Sequence, residues 1–257
     1  MKKLISIIAL FLFSSFQLFA QHDLVGTWER KNDTINSVKI ITPTHWMVYA
    51  EEKNQNGTEF MWSHGGTYTL KGNNYVENIE TASWEDYGEV KTDFTIKIEG
   101  NTLYHKGSLI MEDGSVVPID EVWKRANTNN SYNNNPSVGV WDQLNSTYTL
   151  PDGSEESHTN DTATRFQIIT PTHWMRMSHR DDKFEHFMGG TYKFDGKKMY
   201  PNFEFSSFPD DEYSEVVIDQ RVNGDKMYWD GYAISKKDNK KLTFKDEFQL
   251  VGPKVSK

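Results

Sequence analysis

The octapeptide IITPTHWM occurs twice in this chain, at Ile40–Met47 and at Ile168–Met175. Eight identical residues do not recur by chance, so the sequence contains an internal duplication. Around the octapeptide the match continues with GTWE at Gly26–Glu29 against GVWD at Gly139–Asp142, and with GGTY at Gly65–Tyr68 against Gly189–Tyr192. An offset of 124 then aligns the following residues, and Asp120-Glu121 falls opposite Asp246-Glu247 near the ends. Copies of about 110 residues have the size of whole domains rather than of solenoid repeats.

The domain organisation follows from the flanking segments. Lys2 and Lys3 precede an apolar run that ends before Ala20, a pattern typical of a cleaved signal peptide and too short for a membrane span. An Asn-rich stretch without charges separates the two copies. We therefore predict a signal peptide at 1–20, a first barrel at 21–126, a linker at 127–137 and a second barrel at 138–257.

Composition excludes several classes of function. The chain has no cysteine, which rules out disulfides, thiolate metal sites, a cysteine nucleophile and a bacterial lipoprotein anchor. Without the leader, Lys+Arg falls from 28 to 26 against 37 Asp+Glu, a net charge of −11. Such an acidic chain argues against nucleic acid or anionic lipid as a partner. We expect a protein without a membrane span, located in the periplasm or outside the cell.

No cofactor or metal is predicted. The chain has no nucleophile elbow, phosphate loop or dinucleotide fingerprint. Most histidines are single residues without ligand spacing. His179 and His186 flank acidic residues, but only in the second copy, and this segment is interpreted as a charged loop rather than as a metal site.

Short segments with alternating apolar and polar residues recur every 8–12 residues between Gly, Asn and Asp turns, which predicts antiparallel all-β structure with little helix. The strands predicted in the first copy are Leu24–Arg30, Ile35–Thr42, His45–Glu51, Thr58–Ser63, Thr67–Leu70, Tyr75–Thr81, Val90–Glu99, Thr102–Lys106 and Val117–Arg125. An insertion in the second copy, about Asn145–Asp161, predicts a longer loop or hairpin at one barrel mouth. The predicted fold is two tandem antiparallel β-barrels joined by the Asn-rich linker.

The order of motifs resembles a known family. The motifs that carry the resemblance are, in order, a Gly-x-Trp box at Trp28, ITPTHWM, Gly-Gly-Thr-Tyr68, Asn-Ile-Glu80, an Asn-Thr-Leu-Tyr104 strand and Asp-Glu-Val-Trp123. The first copy resembles the small secreted lipocalin-like, or calycin-type, domains of unknown function found in Bacteroidetes. The resemblance implies lipocalin-like barrels. It also implies that the box tryptophan lies across the closed end of the barrel under a cation from the last strand.

Lys124 or Arg125 fits the role of that closing cation for Trp28, whereas the last strand of the second copy has no basic residue opposite Trp141. The closing contact is therefore expected in the first copy, and the second copy departs from the family pattern at this point. The family does not supply a ligand, because function depends on sites added to a fold.

The repeated octapeptide supplies the first candidate site. Alternation after the proline places His45, Met47 and Tyr49 on one face. Because Arg176 and Ser178 are expected to face water, His173, Met175 and the other methionine of that strand should face the interior. These side chains are either ligand-facing or form a corner in which His caps backbone groups and Met fills the core.

Further candidates are polar residues repeated in both copies. Glu80 and Glu204 each follow an asparagine on an alternating strand and either face a cavity or are solvated residues. Tyrosines at corresponding places either offer hydroxyls to a ligand or are packing aromatics. The full predicted ligand-binding set is His45, Met47, Tyr68, Glu80, Tyr104, His173, Met175, Tyr192, Glu204 and Tyr228.

Three classes of function fit these observations. The leading hypothesis is a secreted binding protein, monomeric with pseudo-dimeric barrels, that holds a small apolar or amphipathic ligand in one or both barrels. The first alternative is an enzyme, an isomerase or hydrolase, that uses His45 and His173 or Glu80 and Glu204. The second is a structural or interaction protein with filled barrels, in which an exposed patch at Trp62, Trp84 or Phe208 would bind a partner.

Overall fold

Two closed antiparallel barrels of eight strands each follow one another along the chain. The computed structural model describes residues 23–55, 57–85, 90–126, 132, 134–160, 163–181, 183–207 and 213–252. The predicted signal peptide, half of the predicted linker and Phe208 lie outside these residues. Within them, no helix is long and apolar enough to cross a membrane.

The first barrel is a simple meander, in which each strand pairs with its neighbours in sequence and β1 pairs with β8 to close the ring. Its strands are β1 (Gly26–Lys31), β2 (Ile35–Ile41), β3 (His45–Asn54), β4 (Gly57–Lys71), β5 (Asn74–Ala82), β6 (Lys91–Glu99), β7 (Thr102–Ile110) and β8 (Val116–Arg125). The β5–β6 ladder is short, and the Thr92 hydroxyl bridges the gap by bonding to both backbone polar groups of Glu77 at 2.8 Å.

The second barrel repeats this meander and closes between its first and last strands. Its elements are β9 (Gly139–Thr149), β10 (Glu155–Thr159), β11 (Ala163–Ile169), β12 (His173–Arg180), β13 (Lys183–Phe194), β14 (Lys198–Pro201), β15 (Phe205–Ser206), β16 (Tyr213–Asn223), β17 (Lys226–Ser235) and β18 (Lys241–Leu250). The predicted insertion forms a hairpin, because β10 pairs with the far end of β9 outside the barrel order.

The repeated Gly-Gly pair does not separate two strands as the sequence predicted. Strand β4 runs through Gly65 and Gly66, and its register with β5 shifts there as a bulge. A Cβ on Gly66 would lie 2.1 Å from the carbonyl oxygen of Asn78, and one on Gly190 would lie 2.1 Å from that of Asn202. The glycines therefore allow two backbones to approach closely at a bend of the barrel wall.

The box tryptophans, Trp28 and Trp141, are fully buried in the cores of their barrels. In the first copy the Arg125 guanidinium lies 4.2 Å from the Trp28 ring centroid and also binds backbone carbonyls, including that of Val25 at 3.0 Å. This confirms the predicted closing cation. Leu250 pairs with Trp141 as Arg125 pairs with Trp28, so the second copy has a leucine in the cation's place.

The described end of the predicted linker is built into the second barrel. Asn135 and Ser137 are buried. The Asn135 side chain accepts a hydrogen bond from Gln220 (2.6 Å) and donates one to the Tyr192 hydroxyl (3.2 Å), while the Ser137 carbonyl accepts one from Trp141 Nε1 (2.8 Å). These contacts fix the entry of the chain into the second barrel.

The octapeptide strands of the two copies pack against each other. Ile40 and Met47 of the first barrel share one buried cluster with Ile168 and Met175 of the second. Their neighbours in sequence, Ile41 and Trp46, belong to the first barrel's own core, as do Ile169 and Trp174 in the second barrel. Both faces of the octapeptide are therefore buried, one inside its barrel and the other between the barrels.

This contact between barrels has pseudo-twofold symmetry. Phe60 and Phe184, which correspond in the two copies, stack on each other with centroids 5.8 Å apart. Tyr49 stacks on Phe205 at 4.5 Å, and the corresponding pair on the opposite side brings Met177 Sδ within 3.0 Å of the Thr81 hydroxyl. The same surface patch meets its own copy, as in an isologous dimer, although its side chains have diverged.

Candidate functional site: the two barrel cavities

The interior of the first barrel contains a cavity of about 330 Å³. Its wall is apolar and aromatic, with Trp62, Trp84 and Trp123 among the lining residues, and its polar residues come from β2, β4, β5, β7 and β8. Inward positions alternate with outward ones along each strand, so residues two apart converge on the same space. This volume lies at the lower end of the range of small-molecule sites, about 300–1,000 Å³.

A buried ion pair forms part of this interior. Lys39 Nζ contacts a carboxylate oxygen of Glu77, and both side chains are almost fully buried. Lys39 also lies 4.6 Å from the Trp46 ring centroid, which adds a cation–π contact. Because each charge has its partner, the pair tolerates a low-dielectric site that an isolated charge would not.

Two histidines line the same cavity in different settings. His64 lies among aromatic rings, with the Trp46 and Trp84 centroids at 5.0 and 4.9 Å, and burial lowers its pKa to about 3, helped by the positive charge of Lys39. It is therefore neutral at physiological pH. His105 places Nδ1 3.5 Å from Glu121 Oε2, so in the neutral ring the Nδ1 proton faces the carboxylate and Nε2 is an acceptor.

Glu121 links this part of the cavity to the barrel wall. It accepts hydrogen bonds from Arg30 at 3.0 Å and from Trp123 Nε1 at 3.1 Å. Burial acts to raise its pKa, but the hydrogen bond from His105 and the positive charges of Lys39 and Arg30 outweigh burial and lower it. Glu121 is therefore an ionised carboxylate that orients His105.

Three polar ring atoms around this cavity are left without a partner. Among the described residues, His64 Nδ1, Trp84 Nε1 and His105 Nε2 are buried and make no hydrogen bond. Buried polar groups are normally paired, and an unpaired one costs about 1–3 kcal/mol. A ligand with an apolar body and at least one polar group would satisfy them.

The second barrel contains a cavity of similar size, about 320 Å³, with a different polar set. Arg176 is buried there, with Nη2 3.6 Å from Asp246 Oδ2 and Nε donating to Gln167 at 3.0 Å. Its guanidinium lies 5.1 Å from the Trp229 ring centroid. Burial raises the pKa of Asp246, although Arg176 and the hydroxyl of Ser146 oppose the rise.

The register of the last strands corrects one sequence alignment. Glu121 pairs with His105, and Asp246 pairs with Trp229, which lies 124 residues after His105. Glu121 therefore corresponds to Asp246, not to Glu247 as the sequence suggested. Both carboxylates face the interior at the same point of the two barrels, and each contacts a cation from another strand.

The predicted orientation of the octapeptide strands was wrong. Arg176 and Ser178 are buried and do not face water, because Arg176 forms an ion pair with Asp246 and the Ser178 hydroxyl lies 3.2 Å from His186 Nε2. Alternation then turns Met175 outward, where it packs between the barrels with Met47. The ring nitrogens of His45 and His173 lie 2.8 and 2.9 Å from the hydroxyls of the preceding threonines, so these contacts are to side chains rather than to the backbone groups that the corner interpretation expected.

The other predicted residues have structural contacts of their own. The Tyr68 and Tyr192 hydroxyls donate to the carbonyls of Thr42 and Thr170, each at 2.8 Å. Glu80 is exposed and accepts from Thr67 at 2.7 Å and Asn78 at 3.0 Å, and Glu204 is held in the same way by Thr191 and Asn202.

Neither barrel cavity is lined by any of the predicted ligand-binding residues. Glu80 and Glu204 line clefts outside the barrels instead. Tyr104 and Tyr228 alternate with buried neighbours along their strands and are only half-buried. His179 bonds across to the first barrel, with Nε2 donating to the Ala82 carbonyl at 2.8 Å.

The residues that line the cavities could have been found by one signal. Lys39 and Glu77 interrupt apolar strands at positions where alternation places them with core residues such as Ile41 and Tyr75. A charged residue on the inward face of a barrel strand requires a partner inside the barrel.

Comparisons with known proteins give little beyond this geometry. No protein-family model matches the chain, and no curated protein matches it. Among solved structures, the chain is similar to a protein of unknown function of the DUF3598 family from Nostoc punctiforme, at 9% identity and a TM-score of 0.29, over 89% of this chain and 97% of that one. A likeness this distant carries no argument about function.

Among the described residues, no group of three or more His, Cys, Asp or Glu could hold a metal.

Proposed function

We propose that this chain is an exported, lipocalin-like binding protein that holds a small amphipathic molecule inside its barrels. The observation that carries the proposal is the first cavity, which combines aromatic walls with the unpartnered atoms His64 Nδ1, Trp84 Nε1 and His105 Nε2. A filled barrel would bury these residues against apolar side chains at a cost in stability. Export rests on the leader-like sequence at 1–20.

The polar atoms of the first cavity indicate what kind of group the ligand carries. Trp84 Nε1 can only donate, His105 Nε2 accepts when the ring is neutral, and neutral His64 has one nitrogen of each kind. A hydroxyl both donates and accepts, so an apolar molecule with an alcohol or phenol group would satisfy this set.

Titration calorimetry with naphthyl ethanol tests the proposal. We expect binding to wild-type protein and loss of binding in Leu109→Trp, because Leu109 lines the first cavity and a larger side chain would fill it. Native mass spectrometry of the purified protein should also detect any ligand carried through purification. Binding that persists unchanged in Leu109→Trp, or no binding at all, would contradict a ligand site in the first barrel.

One observation supports an enzyme as a second candidate. His105, oriented by Glu121 and with Nε2 unpartnered, has the arrangement of a general base inside a cavity. The enzyme hypothesis based on His45, His173, Glu80 or Glu204 gains no such support from their positions. If this candidate is right, a bound ester should turn over in wild-type protein and not in His105→Gln, and an absence of turnover in wild-type protein would contradict it.

A further inference from the structure

The second cavity differs from the first in the kind of hydrogen-bonding atom left unpaired. Among the described residues, the buried lining atoms that make no hydrogen bond are Trp174 Nε1, Trp229 Nε1 and Arg176 Nη2, the last of which is ion-paired with Asp246 at 3.6 Å. All three are N–H donors that cannot accept. Among such atoms the first cavity has both donors and acceptors, whereas the second has donors alone, although the carboxylates of Glu156 and Asp246 also line the second cavity.

Three further donors on β9 and β11 of the second barrel also make no hydrogen bond. Arg165 Nε, Gln143 Nε2 and Gln167 Nε2 are also buried without partners in the described part of the barrel. The two amides cannot be flipped to remove the excess of donors, because each Oε1 already accepts from an arginine, at 2.9 Å from Arg165 and at 3.0 Å from Arg176. Two unpartnered acceptors of this copy, on Glu185 and Gln220, belong to residues that do not line the cavity.

The charges around the cavity decide whether the ligand's hydrogen-bond acceptor is anionic or neutral. Both arginines already face carboxylates, since Arg176 Nη2 lies 3.6 Å from Asp246 and Arg165 Nη2 lies 3.9 Å from Glu185. A carboxylate on the ligand would therefore enter without a free counter-charge and beside Asp246. Burying an uncompensated charge is far more costly than burying a neutral carbonyl that accepts hydrogen bonds.

We infer that the second barrel binds a neutral apolar molecule that carries a carbonyl oxygen and no donor of its own, such as an aryl ketone, a lactone or a quinone. The carbonyl would accept from Arg176 Nη2 and an indole N–H, while Phe203 and Phe244 contact the apolar body. This inference rests on the proposed function but assigns the two barrels chemically different ligands.

Three probes that share one ring system test the inference by titration calorimetry: methyl naphthyl ketone, naphthyl ethanol and naphthoate. We expect the ketone to bind the second barrel about tenfold more tightly than the alcohol, because the alcohol buries a donor among donors. Naphthoate should bind more weakly still. Equal or tighter binding of the alcohol or of naphthoate in the second barrel would overturn the inference.

A matched pair of variants assigns each binding event to a barrel. Ala233 lines the second cavity and corresponds to Leu109, which lines the first. Ketone binding should be lost in Ala233→Trp and retained in Leu109→Trp, with circular dichroism showing that both variants are folded. If the ketone still binds Ala233→Trp as it binds wild-type protein, while naphthyl ethanol no longer binds Leu109→Trp, this inference fails and the proposed function stands. If neither variant changes any binding, both fail.

Donor removal gives a second readout that does not depend on filling the cavity. Trp174→Phe combined with Trp229→Phe removes two unpaired donors while keeping aromatic walls, so the fold should not be weakened through lost hydrogen bonds. We expect ketone affinity to fall about tenfold and naphthyl ethanol binding to the first barrel to stay unchanged. Trp84→Phe, which removes the unpaired indole N–H of the first cavity, should leave ketone affinity unaltered. An unchanged ketone affinity in the double variant would refute the role of the donors.

Discussion

Tyr49→Ala tests whether the contact between the barrels stabilises the whole chain. The Tyr49 ring is 2% exposed and stacks on Phe205 and Phe187 of the second barrel, with centroids 4.5 and 5.3 Å away. Removing a buried aromatic ring costs about 3–5 kcal/mol when the site cannot collapse. The stacked phenylalanines are held by their own strands, so we expect a loss of about 3–4 kcal/mol in the free energy of unfolding.

Urea denaturation followed by tryptophan fluorescence and circular dichroism measures this loss. Wild-type protein should unfold in one cooperative transition, because the cluster between the barrels couples them. Tyr49→Phe is the matched control. It keeps the ring but removes the hydroxyl that donates to Glu51 at 2.7 Å, and should cost only about 1 kcal/mol.

The reasoning would be refuted in either of two ways. A loss below about 1 kcal/mol in Tyr49→Ala would mean that the stacked rings contribute little beyond an ordinary substitution. Two separate wild-type transitions, of which only the first moves in the variant, would mean that the barrels unfold independently.

Three further predictions concern the bulge, the closed end and the buried histidine. Gly66→Ala should destabilise the protein by more than about 3 kcal/mol or prevent folding, because the new Cβ would overlap the opposite backbone. The control is Gly72→Asn, in an open turn with φ of 63°, which should cost less than about 1 kcal/mol. Thermal unfolding compares the stability of the two variants. Arg125→Leu, which copies the second barrel, should cost about 1–2 kcal/mol in urea unfolding through the lost contact with Trp28, and an unchanged midpoint would contradict that role. Burial lowers the pKa of His64 to about 3, below the ~6.5 of an exposed histidine, so the unfolded chain takes up the proton first. The stability that His64 contributes is therefore complete above about pH 6.5 and falls by about 1.4 kcal/mol per pH unit toward pH 3. Urea unfolding at pH 7, 6 and 5 measures this loss, and the free energy of unfolding should fall less steeply with decreasing pH in His64→Gln than in wild-type protein.

Much of the candidate site was beyond prediction from the sequence. The alternating pattern predicts which residues of a strand share a face, but it does not say which face is the interior. In the octapeptide both faces are buried, since Trp46 enters its own barrel and Met47 enters the contact between barrels. The polarity of Arg176 predicted that its face of the strand is exposed to water. That prediction is wrong because Arg176 is buried against Asp246 from the last strand, a partner that is distant in sequence.

The resemblance to a family narrowed the closing cation of the first barrel to Lys124 or Arg125, and the structure shows Arg125. The sequence by itself determined the duplication, the all-β character and the turns. These follow from local rules, such as period-two alternation, glycine turns and a Gly-x-Trp box repeated at a fixed distance. Only the tertiary structure decided that the octapeptides meet across a pseudo-twofold contact and that Lys39, Glu77, Arg176 and Asp246 face the cavities. A barrel interior collects side chains from all its strands, so its chemistry depends on registers between segments far apart in the chain, which no local pattern contains.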